Sequence, residues 1–398
     1  MSSSAAAPKP PARDAGLKAD IRSQTLEELQ GQFASWREPG YRVSQLLEWL
    51  YTQRVTSWDA MSNLPKALRQ RLQQTYSLTS LELARRQGAR DTTQKFLWRL
   101  VDGAFIETVL IPASPGLYGE PSDRHTLCVS TQVGCAYGCR FCASGLEGWK
   151  RNLRPEEIVE QVLAVERWHA SSRPPGRPSS EAPSEDAAPS GPGALAQDVR
   201  LISNLVIMGM GEPLANYENL MRALRILNAP WGGGIGARKI TISTSGLAPQ
   251  IRRLAEEAPQ FRLAISLHGA TDEIRGRIMP VNKKYPLAEL AAAGKYYQEK
   301  KGRMITLEYI LIAGVNDSLD QVKPLAALAH RLFAKVNLIP YNPVEGLPWA
   351  RPEEGAQDLF LAALEREKVP ATLRREKGGE IDAACGQLRL KSERELRG

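Results

Sequence analysis

Residues 126–153 read TLCVSTQVGCAYGCRFCASGLEGWKRNL, and they hold four of the chain's five cysteines. Cys135, Cys139 and Cys142 are spaced C-x3-C-x2-C on a glycine-rich loop directly after the strand-like run TLCVST, with Gly134, Gly138 and Gly145 loosening the backbone. Three thiolates on so short a loop suit three irons of a [4Fe–4S] cluster, which ordinarily needs a fourth cysteine to close it. Without that fourth ligand one iron stays open, and the amino and carboxylate groups of S-adenosylmethionine suit the open position. Structural zinc, with Cys128 as fourth ligand, is the other reading. Zinc sites usually pair two short knuckles, whereas this triplet stands by itself.

From this loop onward, strand-like and helix-like segments alternate. The strands are placed at 126–131, 201–208, 239–244, 261–267, 303–312 and 335–341. Their middles, such as LVIMG, ITIS, LAIS and NLIP, are nearly continuous apolar runs, as in parallel strands buried on both faces. Helical stretches such as PEEIVEQVLAVERW and YENLMRALRILN separate them. Six βα repeats over 126–370 predict an α/β fold, a partial (β/α)6 barrel whose ligands collect at the C-terminal strand ends. Upstream, residues 91–125 contain a β-hairpin, QKFLWRLVDGAFIETVLIP, turning at Asp102-Gly103.

Residues 25–90 are read as a small N-terminal helical domain that binds RNA. There Val43, Leu46, Leu47 and Leu50 repeat at helical spacing, and Pro65 sits at a helix start. Arg69, Arg71, Arg85 and Arg86 would give it a basic outer surface. Residues 1–24 are expected to be a disordered tail. Residues 171–198, rich in Pro, Ser, Gly and Ala, are expected to be a disordered insertion in the barrel. Residues 371–398 form a C-terminal segment carrying Cys385.

Composition narrows the class. The 398 residues are 42% apolar and 24% charged, ordinary for a folded soluble chain. No run of about 18 apolar residues predicts a membrane span, and the N-terminus lacks the apolar stretch of a secretory signal. An odd, clustered set of cysteines excludes a secreted disulfide framework and fits a reducing compartment. The net charge of +8 favours a polyanionic partner.

Three further features stand out. In GMGEP, Gly209 and Gly211 let the backbone approach a ligand, and Glu212 can accept from an ammonium group. Glu107, in the apolar run FIETVLIP, either faces solvent or needs a partner or a task. Cys385, among the small residues of DAACGQ, is either inert core or a thiolate favoured by Arg374, Arg375 and Lys377.

The cysteine loop resembles that of the radical S-adenosylmethionine superfamily, and the string from Leu127 to Leu153 resembles the RlmN-type adenine-C2 RNA methyltransferases in particular. VIMGMGEPLANYENL, KITISTSGLAPQIRRLA, LAISLHGATDEIRGRIMPVNKKYPL, VNLIPYNPVEG and GEIDAACGQL are similar to further blocks of that family, in its order. YRVSQLLEWLYTQRVTSWDAMSNLPKALR resembles its N-terminal domain. The resemblance implies a [4Fe–4S] cluster on Cys135, Cys139 and Cys142. It implies S-adenosylmethionine, two molecules per turnover, held by Gly211, Glu212, Ser243, Ser266, Leu267, His268 and Asn342. It makes Cys385 the methyl-carrying residue, Cys128 its resolving partner in a transient disulfide, and Glu107 the catalytic acid/base. The implied substrates are an adenosine of large-subunit (23S) ribosomal RNA and a subset of transfer RNAs. A flavodoxin or ferredoxin as electron donor and a cytoplasmic, membrane-free monomer complete the expectation. Two rivals remain open: the sister adenine-C8 methyltransferases, and a non-catalytic metal-bearing RNA-binding protein.

Overall fold

The computed structural model describes residues 18–88, 93–112, 124–172, 200–374 and 389. The expected insertion therefore lies almost wholly outside the described residues, as do Cys385 and most of the expected N-terminal tail. The backbone divides into two units, with the boundary between Thr79 and Ser80.

In the first unit, α1 (Leu26–Ser35) opens with a capping box in which Thr25 and Glu28 satisfy each other's backbone N–H groups. It is followed by α2 (Tyr41–Leu47), which runs into a π-turn at Glu48–Thr52, and by α3 (Lys66–Thr75). Val43, Leu46, Leu47 and Leu50 are all buried, with Phe33, Leu68 and Leu72 also in the core. Residues 18–24 depart from the expected disordered tail. Asp20 accepts from Thr79 N and Oγ1, both at 2.7 Å, and the buried Arg22 guanidinium donates to the carbonyls of Val55 and Thr79. Composition misses this anchoring because it rests on two charged residues whose partners lie far along the chain.

Among the described residues of the second unit, ten strands form one open sheet. Its first edge is antiparallel: β1 (Glu82–Gln87), β2 (Gln94–Arg99) and β3 (Phe105–Pro112), which then pairs with β4 (His125–Cys128). The helical reading of 25–90 does not anticipate β1. Its residues are nearly all exposed and carry no alternating apolar signal, so pairing with β2 rather than pattern makes it a strand. From β4 the sheet runs parallel through β7 (Ile202–Ile207), β8 (Ile240–Thr244), β9 (Arg262–Ser266), β10 (Ile305–Leu311) and β11 (Ala334–Pro340). This is the partial barrel. One further parallel strand, β12 (Ala371–Leu373), extends it past residue 370.

The parallel strands are not buried alike on both faces. One face is fully covered: Leu205, Ile207, Ile240, Ile242, Leu263, Ile265, Leu307, Val336 and Leu338 are all buried. The alternate positions Asn204, Val206, Thr241, Ser266, Thr306, Asn337 and Ile339 are only part-buried. Short strands with Val and Ile on both faces conceal this alternation. The less covered face is the polar one.

Between β4 and β7, β5 (Gln132–Gly134) pairs with β6 (Trp149–Asn152) as a small separate sheet, and helix α4 (Pro155–Ser171) follows. The cysteine loop is thereby tied at its neck, where Cys135 N donates to Gly148 O at 3.1 Å. Gly134 has φ +75°, and a Cβ there would meet Gly148 O at 2.0 Å, so only glycine closes the neck.

Candidate active site

Strand register places the candidate side chains. Lys95 pairs with Val109, Val109 with Cys128, Cys128 with Val206 and Val206 with Thr241. Paired residues share a face of the sheet, as do residues two apart on one strand. Glu107, two residues before Val109, therefore lies on the face of Cys128. Ser243, two after Thr241, lies there too, and so does Ser266, two after Ser243's partner Ala264. The Ser243 and Ser266 hydroxyls are 3.3 Å apart. Ser266 is followed across the sheet by Glu308 and Asn337, and Asn337 donates to Glu308 at 2.6 Å.

Glu107 is 2% exposed and does not face solvent. Its Oε2 lies 3.4 Å from Nζ of Lys95, itself 1% exposed, and its Oε1 accepts from the backbone N–H of Arg389 at 2.6 Å. Removing one partner of a buried ion pair leaves an uncompensated charge in a poorly solvated site. Lys95→Met is therefore expected to cost about 3–5 kcal/mol of stability, read as a lower urea midpoint at unchanged slope. A Lys95→Met/Glu107→Gln double variant should recover most of that loss. A Lys95→Met loss below about 1 kcal/mol, the range of an exposed pair, would contradict the pairing.

The cysteine loop is held against the strand ends from three sides. Gln161 of α4 pins Ser130, accepting from its N–H and donating to its carbonyl. Trp349 donates to the carbonyl of Arg140 at 2.8 Å. The His268 ring meets Phe141 edge-on at 4.9 Å between centroids. His268 has φ +57°, the left-handed region that non-glycine residues seldom occupy. Its Nδ1 accepts from Ile310 N at 3.0 Å, which leaves the ring proton on Nε2. Burial and the charge of Arg275 push its pKa down to about 3, so the ring is neutral at physiological pH.

Glu212 is buried and caps the short turn Pro213–Asn216. Its Oε1 accepts from Leu214 N at 3.0 Å and its Oε2 from Ser245 N at 2.7 Å. Burial raises its pKa, against the pull of those hydrogen bonds. Gly211 has φ +98°, and a Cβ there would strike the Gln132 side chain at 2.5 Å. The Glu212 N–H donates to that same side chain at 2.8 Å. Arg275, fully buried, spans the strand ends by donating to the carbonyls of Leu267 and Ser245 and to Asn282. Gln132 and Arg275 are not distinguished in the sequence from many other polar residues; only their burial and partners mark them. Asn342 accepts from Arg351 at 3.4 Å.

Known proteins resemble this arrangement over nearly the whole chain. Residues 19–78 match the family model described as "Ribosomal RNA large subunit methyltransferase N-terminal domain", and residues 194–323 match "Radical SAM superfamily". The "Probable dual-specificity RNA methyltransferase RlmN 3" of Opitutus terrae is 53% identical, across 95% of this chain and 96% of its own length. The "Probable dual-specificity RNA methyltransferase RlmN" of Akkermansia muciniphila is 47% identical, across 95% and 97%. The chain belongs to the RlmN family of radical S-adenosylmethionine methyltransferases. A crystal structure of a radical SAM methyltransferase from Sphaerobacter thermophilus superposes with a TM-score of 0.80 at 42% identity, covering 93% of this chain and 98% of that one.

Membership of the radical SAM superfamily implies a [4Fe–4S] cluster and S-adenosylmethionine, and the loop fits the cluster. Burial pushes the Cys135 thiol up to about 12, with the charges of Cys142 and Glu212 adding to the rise. Burial also raises Cys139 well above the usual thiol range, with Cys142 and Cys135 adding to it. Three sulfurs that oppose one another's ionisation form a site whose protons leave when iron enters. Among the described residues no three His, Cys, Asp or Glu side chains converge as ligands of a single ion. Cysteines that each bind a different iron of one cluster need no such convergence.

Proposed function

We propose that the chain methylates C2 of an adenosine in large-subunit ribosomal RNA and in a subset of transfer RNAs. The observation that carries this reading is the common face shared by Glu107, Cys128, Ser243 and Ser266, at whose strand ends the three-cysteine loop is seated. When bound, the cluster and S-adenosylmethionine supply one-electron cleavage of the sulfonium, and so the means to remove an unactivated hydrogen atom. The chain's own groups do the rest. Gly211, Glu212, Ser243, Ser266, Leu267, His268 and Asn342 hold the S-adenosylmethionine, two molecules of which are used per turnover.

Adenine C2 carries no lone pair and cannot attack a methyl donor, whereas the Cys385 sulfur can. Cys385 takes the methyl group as a thioether and presents that carbon to C2. Glu107, held by Lys95 and by the Arg389 N–H, or the Cys128 thiolate accepts the C2 proton. Cys128, as the thiolate, then attacks the Cys385 sulfur, and the S–S bond forms as the bond from sulfur to the transferred carbon breaks. The carbon leaves with that electron pair and takes a proton to become the methyl group, and a thiol reductant restores both cysteines for the next turnover. The target base must leave its stack to reach this face, as in other enzymes that act on a base. Basic runs such as WKRNLR and PVNKK supply phosphate contacts.

The family relatives carry RNA methyltransferase names, which supports the substrate class. Among the described residues no helix is long and apolar enough to cross a membrane. We place the enzyme in the cytoplasm as a monomer, reduced by a flavodoxin- or ferredoxin-type donor. Nucleoside mass spectrometry of ribosomal and transfer RNA, from cells with and without the enzyme, tests the reading. Enzyme-dependent 2-methyladenosine is expected. Enzyme-dependent 8-methyladenosine would assign the chain to the sister activity instead.

A further inference from the structure

Arg389 stands four residues beyond Cys385 in the sequence and is 0% exposed. A charged side chain so buried needs a partner, and the Arg389 Nη1 donates to Glu147 Oε2 at 3.0 Å. Glu147 belongs to the cysteine loop, between Cys142 and β6, and its Oε2 also lies 3.8 Å from Lys150 Nζ. The backbone N–H of the same Arg389 donates to Glu107 Oε1 at 2.6 Å, while Lys95 takes Oε2. One residue of the C-terminal segment therefore meets both the cysteine loop and the carboxylate of β3. Three residues of covalent chain separate Arg389 from Cys385, so whatever fixes Arg389 limits the excursion of the segment that carries the sulfur.

We infer that Arg389 is a positioning residue. Its guanidinium fastens the Cys385 segment to the cysteine loop through Glu147, and its backbone N–H fixes the orientation of Glu107. The inference rests on the reading that Cys385 carries the methyl group and Glu107 moves the proton. Arg389 touches neither substrate nor cofactor in this scheme and acts only through Glu107 and Glu147. Its effect is to keep the sulfur, the carboxylate and the loop in one register, where a displacement of about 1 Å costs on the order of 100-fold in rate.

The test uses full-length, anaerobically purified enzyme and measures RNA methylation, iron and sulfide content, and Cys385 S-methylation by peptide mass spectrometry. Arg389→Ala should lower kcat by about 100-fold, with KM for RNA unchanged and iron and sulfide at wild-type levels. Arg389→Lys should fall between, since lysine keeps the charge without the planar fork. The paired reversal Glu147→Arg/Arg389→Glu should regain about tenfold or more over Arg389→Glu, because it restores the contact with opposite polarity. Unchanged kcat in Arg389→Ala would overturn the positioning role. So would a loss that tracks loss of iron, or a reversal pair no better than its worse member. Wild-type enzyme that turns over without ever methylating Cys385 would overturn the methyl-carrier reading, and this inference with it.

Discussion

Cys385→Ala is expected to abolish RNA methylation while leaving the iron content of the protein unchanged. The magnitude follows from adenine's own chemistry. C2 has no electron pair to offer a methyl donor, so without a sulfur to receive the carbon first there is no slower route through the remaining residues. The expected result is methylation at the background of enzyme-free RNA, measured with labelled S-adenosylmethionine. Residual activity within about tenfold of wild type would show that the carbon reaches RNA without Cys385, and would remove the covalent carrier from the scheme. Because the three loop cysteines do not depend on Cys385 for their spacing or their neck, iron and sulfide should be retained in the variant.

The second large effect belongs to Cys128. It lies on the face shared with Glu107, paired to Val109, and 5% exposed. If its thiolate expels Cys385 from the methylated base, Cys128→Ala halts the reaction after carbon–carbon bond formation. RNA then remains attached to Cys385. Denaturing electrophoresis should show nearly all the active protein shifted by one RNA, and nuclease digestion should leave a modified nucleoside on the Cys385 peptide. Multiple turnovers with free product in that variant would assign the release step to another group.

How much of this was legible beforehand follows from the range of each interaction. The cysteine loop is a local feature. Three ligands within eight residues, directly after a strand, can be read without knowing what packs on them. The six parallel strands are legible for the same reason, since each is a short apolar run bounded by its own breakers. Lys95 is different. A two-residue turn at Asp102-Gly103 sets Lys95 opposite Leu110, on the wrong face. The actual loop, in which Leu100 N bonds Ala104 O at 2.8 Å, shifts the register by one and brings Lys95 opposite Val109, beside Glu107. Arg389 is not legible in the sequence because its carboxylate partners come from segments more than two hundred residues away. Arg275 is not because its burial and its bond to the Ser245 carbonyl depend on the packing of neighbouring strand ends. The same long range explains the anchoring of Asp20 and Arg22 in what reads as a polar tail.

His268 illustrates a partial reading. Its place at a strand end is visible in SLH, but its neutrality is not. That depends on complete burial, on the nearby Arg275 charge and on an N–H donated by Ile310. The same holds for Glu212. The GEP turn is visible, while the bond from Ser245 that ties it to β8 appears only once β7 and β8 are side by side.

The proposed chemistry depends on three sulfurs holding a cluster with one iron left for an exogenous ligand. The direct measurement is the iron, acid-labile sulfide and zinc content of anaerobically purified protein, beside a Cys135→Ala/Cys139→Ala/Cys142→Ala variant. About four irons and four sulfides per chain are expected, falling to none in the variant. One zinc per chain with no sulfide, lost on replacing Cys128 as readily as on replacing the triplet, would contradict it.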